Sequence, residues 1–266
     1  MKSVVFLAAV MAAAVSAVQA APIQLISHRA QYEVTLASTR PGGMVAVRGH
    51  TVMEFRDVCT AWTSTQRFIA DMSDSKASAV HSDFIVSSSE DKQGRQIRFK
   101  VRNIVNGKAT QHFDGTGILA ASGGEVRMTS PHGQHFELPN GTLLPTQHTL
   151  AVLRAAEAGL ESFHQTVFQG GDLNNLYDTA TVIGRPVSKD KLKDERAVDA
   201  GGLLGDLPAW PVLISYFPHD SQGEQADYEV AYRLYANGVI SSMTLIYPNF
   251  TMKAELVKLE RLPSKC

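Results

Sequence analysis

Apolar and polar residues alternate with a period of two through most of the chain, a pattern that suits strands burying one face and wetting the other. Tyr32, Val34 and Leu36 alternate with Gln31, Glu33 and Thr35; Ile97, Phe99 and Val101 alternate with Arg98, Lys100 and Arg102. The second run reaches Asn106-Gly107 before Thr110 to Phe113. Near the C-terminus, Tyr228, Val230, Tyr232 and Leu234 precede Asn237-Gly238, and Val239 to Tyr247 follows. Asn-Gly between alternating runs is the strongest short hairpin signal, because both residues tolerate positive φ. Phe250, Met252, Ala254 and Leu256 continue the pattern before Val257 and Leu259 switch parity, which marks a bulge. The last third therefore reads as a meander of three strands.

One segment departs from this period. After Leu143-Leu144-Pro145, the stretch Thr146 to Gly159 sets Leu150, Leu153, Ala156 and Leu160 at helical spacing, with Arg154 and Glu157 on another face. Pro145 suits a first helical turn and Gly159 a stop. A lone helix of about four turns in an all-β chain plugs an open end or covers a sheet. Asp190 to Gly202 is polar, charged and glycine-bounded, and reads as a surface loop. Beyond it, Pro208 and Pro211 confine any strand to Val212 to Phe217. With no linker and no fixed repeat, residues 21–266 are expected to form one domain.

Met1-Lys2-Ser3 followed by an apolar run from Val4 to Val15 has the form of a secretory signal peptide. Val18-Gln19-Ala20 supplies small residues for cleavage, so residues 1–20 are expected to be removed and the rest to work outside the inner membrane. That environment oxidises thiols, and the chain has two cysteines, Cys59 and Cys266. Pairing them closes a loop of 266 − 59 = 207 residues. The chain-entropy treatment gives such a loop an upper figure of about 5 kcal/mol. With no CxxC, the bridge is structural and not a redox centre.

Without residues 1–20 the chain carries 24 Lys and Arg (25 less Lys2) against 26 Asp and Glu, a net charge of −2. No global field favours nucleic acid, so no nucleic-acid partner is expected. Gly115-Thr116-Gly117-Ile118-Leu119-Ala120 begins like a dinucleotide fingerprint, but Ala121-Ser122-Gly123-Gly124 follows where a helix is required, and a β-turn is the plainer reading. His132 and His135 have neither a Cys/His spacing nor HExxH about them, so no metal and no cofactor is expected. No serine sits in GxSxG, and no P-loop occurs. A triad assembled from distant residues would leave no such motif, so a hydrolase is unsupported, not excluded. Arg98, Lys100 and Arg102, on one strand face with Arg95 and Lys108 nearby, are candidates to line a groove for an acidic lipid or carboxylated ligand; the competing reading is a solvated strand face. Trp62 is a candidate for cavity lining or for a buried anchor.

Several segments together resemble the EipB cell-envelope integrity proteins of alphaproteobacteria. They are Cys59-x-x-Trp62, Gly141 to Thr149 leading into the helix, Tyr177-Asp178-Thr179, Val182-Ile183-Gly184-Arg185-Pro186, Tyr228 to Gly238 and the terminal Cys266. Thr60-Ala61 stands where the family often has Asp-Gly, and Leu144 where Phe is common. The resemblance implies an all-β, antiparallel, broken or spiral β-barrel with one central amphipathic helix and a Cys59–Cys266 disulfide. It also implies no enzymatic activity. The implied role is support of the envelope under stress through contact with other periplasmic proteins, including a tetratricopeptide-repeat partner. The alternative carried forward is a periplasmic carrier or binding module for a lipid or other amphipathic ligand.

Overall fold

A computed structural model describes residues 22–76, 78–219 and 225–263. The signal-peptide segment and Cys266 lie outside these residues. Among the described residues, fourteen strands form one antiparallel sheet. They are β1 (His28–Thr39), β2 (Met44–Asp57), β3 (Ala61–Asp74), β4 (Ala79–Asp91), β5 (Gln96–Val105), β6 (Lys108–Ala120), β7 (Gly123–Ser130), β8 (His135–Leu138), β9 (Ser162–Phe168), β10 (Leu176–Ile183), β11 (Ala209–Pro218), β12 (Tyr228–Tyr235), β13 (Ile240–Ile246) and β14 (Phe250–Arg261). Helix α1 (Pro145–Glu157) joins β8 to β9, and the short α2 (Lys193–Ala197) lies between β10 and β11.

The strand order is β8-β7-β6-β5-β4-β3-β2-β1-β14-β13-β12-β11-β10-β9. Two meanders thus meet where the first strand pairs with the last, and the sheet curls until its edges, β8 and β9, approach each other. The nearly closed barrel is completed on one side by a single parallel bridge. The Leu143 N–H donates to the Thr166 carbonyl at 2.9 Å, and the Phe168 N–H to the Leu143 carbonyl at 3.0 Å. Closure of this kind hides backbone edges that would otherwise recruit other chains.

Local chemistry explains the main turns and breaks. Asn106 and Gly107 both have positive φ, 50° and 77°, as a two-residue hairpin between β5 and β6 requires. The parity switch at Val257 is a bulge: β1 and β14 pair Gln31 with Lys258 and then Tyr32 with Leu256. Leu259 therefore stays on the inner face with Ala30.

Three local expectations need correction. Gly115 to Ala120 continues β6 instead of turning, because its glycines let β5 side chains approach closely. A Cβ on Gly115 would meet Phe99 at 2.6 Å, and one on Gly117 would meet Ile97 at 2.9 Å. Pro211 does not delay β11, which begins at Ala209. The Pro211 carbonyl accepts from the Gly184 N–H at 2.8 Å, so the N–H that proline lacks would point to the same side, where β10 has already ended. Finally, the 190–202 loop is not simply solvated. Leu192 is buried with Tyr235 and Val239, and Glu195 of α2 bonds Arg233 and Tyr235.

The interior holds three apolar clusters, built around β1 and β14, around α1 with β10 to β12, and around β5 with β7 and β9. Arg67, Arg98, Lys100, Arg102, Lys253 and Glu255 lie exposed on outer strand faces. A membrane barrel has the reverse arrangement, with a lipid-facing apolar band outside.

Candidate functional site

Helix α1 crosses one end of the barrel. Gln147 near its start donates to the Lys92 carbonyl at 3.3 Å, and Val152 and Leu153 pack with Ile183, Trp210 and Leu234. All of these partners lie at or next to strand ends on that side. The helix begins with Pro145, and Leu144 at the N-cap position supplies no side-chain bond. An uncapped helix start leaves backbone N–H groups unsatisfied, which is costly when they are buried.

Glu90 of β4 fills that role from a distance. The Thr146 N–H donates to both carboxylate oxygens at 3.0 Å, and the Thr146 hydroxyl donates to Oε1 at 2.7 Å. The Gln147 backbone N–H also favours the charged carboxylate. Glu90 is only 1% exposed. Burial pushes its carboxyl up to about 7, although the Thr146 and Gln147 bonds pull the other way.

Beside this contact lies a partly open cavity of about 270 Å³. It exceeds the ~150 Å³ of an apolar protein cavity known to take up benzene. Strand register explains its lining. On β3 and β4, Trp62 pairs with Glu90, Ser64 with Ser88 and Gln66 with Val86; on β2, Phe55 faces Ser64 and Met53 faces Gln66. Alternation sends these side chains to one face. Met53, Phe55 and Val86 thus form an apolar wall, with Leu25 and Ile240 across from it, and Ser64, Ser88, Gln66 and Glu90 form a polar strip.

The two histidines here are shifted toward their neutral forms. His28 borders the cavity and bonds the Ile26 carbonyl at 2.7 Å through Nδ1. Burial nevertheless lowers its basicity. His148 on α1 packs edge-on against Phe163, its Nε2 has no partner among the described residues, and burial brings its pKa down to about 4. Glu54 borders the cavity as well, but its carboxylate is engaged by Arg29 and Arg56.

The residues singled out in the sequence separate. Trp62 is buried on the inner face beside Glu90, with the Lys92 ammonium 4.5 Å from its ring centre. That ammonium also bonds Asp57 at 2.5 Å. Arg98, Lys100 and Arg102 form a ladder on the outer face of β5, away from the cavity, and Lys100 pairs with Asp114 at 3.0 Å. Cys59 occupies the β2–β3 turn at φ 70°, its N–H donating to Asp57 Oδ1 at 3.0 Å. His135 starts β8 and His132 lies in the turn before it; among the described residues no group of three metal-ligating side chains occurs. Glu90 carried no motif, but two signals pointed to it. It is an acid at the inner parity of β4, and α1 lacks a cap of its own.

A family model described as EipB-like matches residues 19–263. The chain belongs to the EipB-like family. Cell envelope integrity protein EipB of Brucella abortus (strain 2308) is 28% identical over 260 residues, covering 96% of this chain and 90% of that protein. The crystal structure of a beta-barrel-like protein of a domain of unknown function from Brucella abortus matches with a TM-score of 0.83 and 27% identity, covering 91% of this chain and 100% of that one. The EipB-like likeness therefore takes in both meanders and the helix that joins them.

Proposed function

We propose that this protein supports cell-envelope integrity from the periplasm, without catalysis, by contact with other envelope proteins. The observation that carries this reading is the unbroken match from residue 19 to 263 to a family whose relative in Brucella abortus is named for envelope integrity. Export through residues 1–20 belongs to the same proposal and rests on their signal-peptide pattern. Deleting the gene should sensitise cells to detergents and to cell-wall drugs. Growth equal to the parent under those stresses would overturn it.

The Cys59–Cys266 disulfide is proposed as the staple of this fold. Two bonds to one residue favour it: the Asp57 N–H donates to Ser27 Oγ at 2.8 Å, and the Leu262 N–H donates to the Ser27 carbonyl at 3.0 Å. Cys59 follows Asp57 by two residues and Cys266 follows Leu262 by four. Four extended residues reach about 13 Å, ample for two segments that meet at Ser27. Non-reducing peptide mapping that recovers the two cysteine peptides separately would remove the staple.

A second reading, carriage of an amphipathic ligand, is favoured by the cavity between β2–β4 and the start of α1. Native mass spectrometry of gently purified protein tests it: added mass that dissociates on activation supports carriage, and an apo mass in every preparation counts against it.

A further inference from the structure

We infer that the partly open cavity selects an amphiphile whose head group donates hydrogen bonds and bears no negative charge, with Glu90 as the acceptor that reads it. This rests on the carrier reading and adds a chemical class to it. Three observations carry the argument. The first is lining: Met53, Phe55 and Val86 share one inner face with Ser64, Gln66, Ser88 and Glu90, so the cavity offers both apolar contact for a chain and hydrogen bonds for a head group.

The second is charge. Among the described residues lining the cavity, no lysine or arginine occurs, and the carboxyl groups there belong to Glu90 and Glu54. The one histidine there, His28, has its basicity lowered by burial, and the nearest other basic candidates are committed elsewhere. Lys92 pairs with Asp57 over the Trp62 ring, and Arg29 and Arg56 hold Glu54. Arg98, Lys100 and Arg102 stand on the outer face. A carboxylate or phosphate head brought inside would lose its hydration with no cation to replace it, a desolvation that proteins do not tolerate unpaired.

The third is acceptor capacity. A carboxylate offers about four acceptor positions. The Thr146 N–H, which reaches both oxygens, and the Thr146 hydroxyl occupy three of them. Glu90 lines a cavity whose other polar side chains include Ser64, Ser88 and Gln66, which can both give and accept. An ammonium, hydroxyl or amide head suits this set, and a ligand carboxylate does not.

The test is a matched series of twelve-carbon probes, dodecylamine, dodecanol and laurate, titrated calorimetrically at pH 8 against the mature protein, its Glu90→Gln variant and a Met53→Trp variant that fills the cavity. Dodecylamine is expected to bind at least about tenfold tighter than laurate, since hydrogen bonds to charged groups exceed that threshold. Glu90→Gln should erase most of that ratio while leaving dodecanol bound, and Met53→Trp should weaken all three. If Glu90→Gln does not fold, the wild-type series alone decides the preference. Laurate binding as tightly as dodecylamine, or a ratio unchanged in a folded Glu90→Gln protein, overturns the head-group inference and leaves carriage standing. Binding of none of the probes, or binding untouched by Met53→Trp, overturns the inference together with carriage in this cavity.

Discussion

Glu90 on β4 and Thr146 at the start of α1 are 56 residues apart in sequence and joined by three hydrogen bonds of 2.7 to 3.0 Å. The contact fastens the plug helix to the barrel wall and satisfies a helix start that has no local cap. Removing only the hydroxyl, with Thr146→Ala, should cost about 1.5 to 3 kcal/mol, the range for hydrogen bonds to charged groups. Urea denaturation measures it, and a loss below about 0.5 kcal/mol would mean the hydroxyl contributes little.

The pH dependence of stability contains two opposed contributions. Glu90 has its carboxyl raised from 4.5 to about 7, so its contribution is full below pH 4.5 and is lost as pH rises through 7. His148 is lowered from 6.5 to about 4, so its contribution is full above pH 6.5 and is lost as pH falls through 4. Each is on the order of 3 kcal/mol, and His28, lowered in the same direction, adds to the histidine side. The stability difference between Glu90→Gln and the parent should therefore move by about 3 kcal/mol in the variant's favour between pH 4.5 and 8. His148→Leu should show the opposite trend, gaining on the parent as pH falls from 6.5 to 4. Denaturant melts across this range test both, and parallel profiles for either variant would contradict its assignment.

Tyr32 offers a check on the join between the two meanders. It is 1% exposed and its hydroxyl donates to the Ile240 carbonyl at 2.6 Å, linking β1 to the start of β13. Tyr32→Phe leaves that carbonyl without its donor and should cost about 1 to 3 kcal/mol. A melting temperature equal to the parent's would show that the carbonyl finds another donor.

The alternation of Tyr32 to Leu36 and Ile97 to Val101, the Asn106-Gly107 turn, the bulge at Val257 and the helix after Pro145 were legible because each depends on neighbours in sequence. What the pattern does not carry is partnership at a distance. The β1–β14 pairing joins residues more than 200 positions apart, and no local period encodes it. Gly115 and Gly117 looked like punctuation because their purpose, room for Phe99 and Ile97, lies on another strand. The cationic ladder at Arg98, Lys100 and Arg102 was visible as one face, but only the curl of the sheet decides that this face is the outer one. Glu90 was passed over because an acid at an inner strand position gains meaning only when a helix start docks on it.

Cys59→Ser should lower thermal stability under oxidising conditions and abolish any difference between oxidised and reduced samples. The loss is expected at about 2 to 5 kcal/mol, as for removal of a native bridge. Equal melting temperatures for wild type and variant without reductant would show that the fold does not depend on the bridge.

The central claim is that the chain sustains the envelope from outside the inner membrane. Its most direct test is growth of a deletion strain on detergent, complemented with the full chain or with a version lacking residues 2–20. The account predicts sensitivity that the full chain rescues and the shortened one does not. Unimpaired growth of the deletion strain, or equal rescue by the shortened chain, would contradict it.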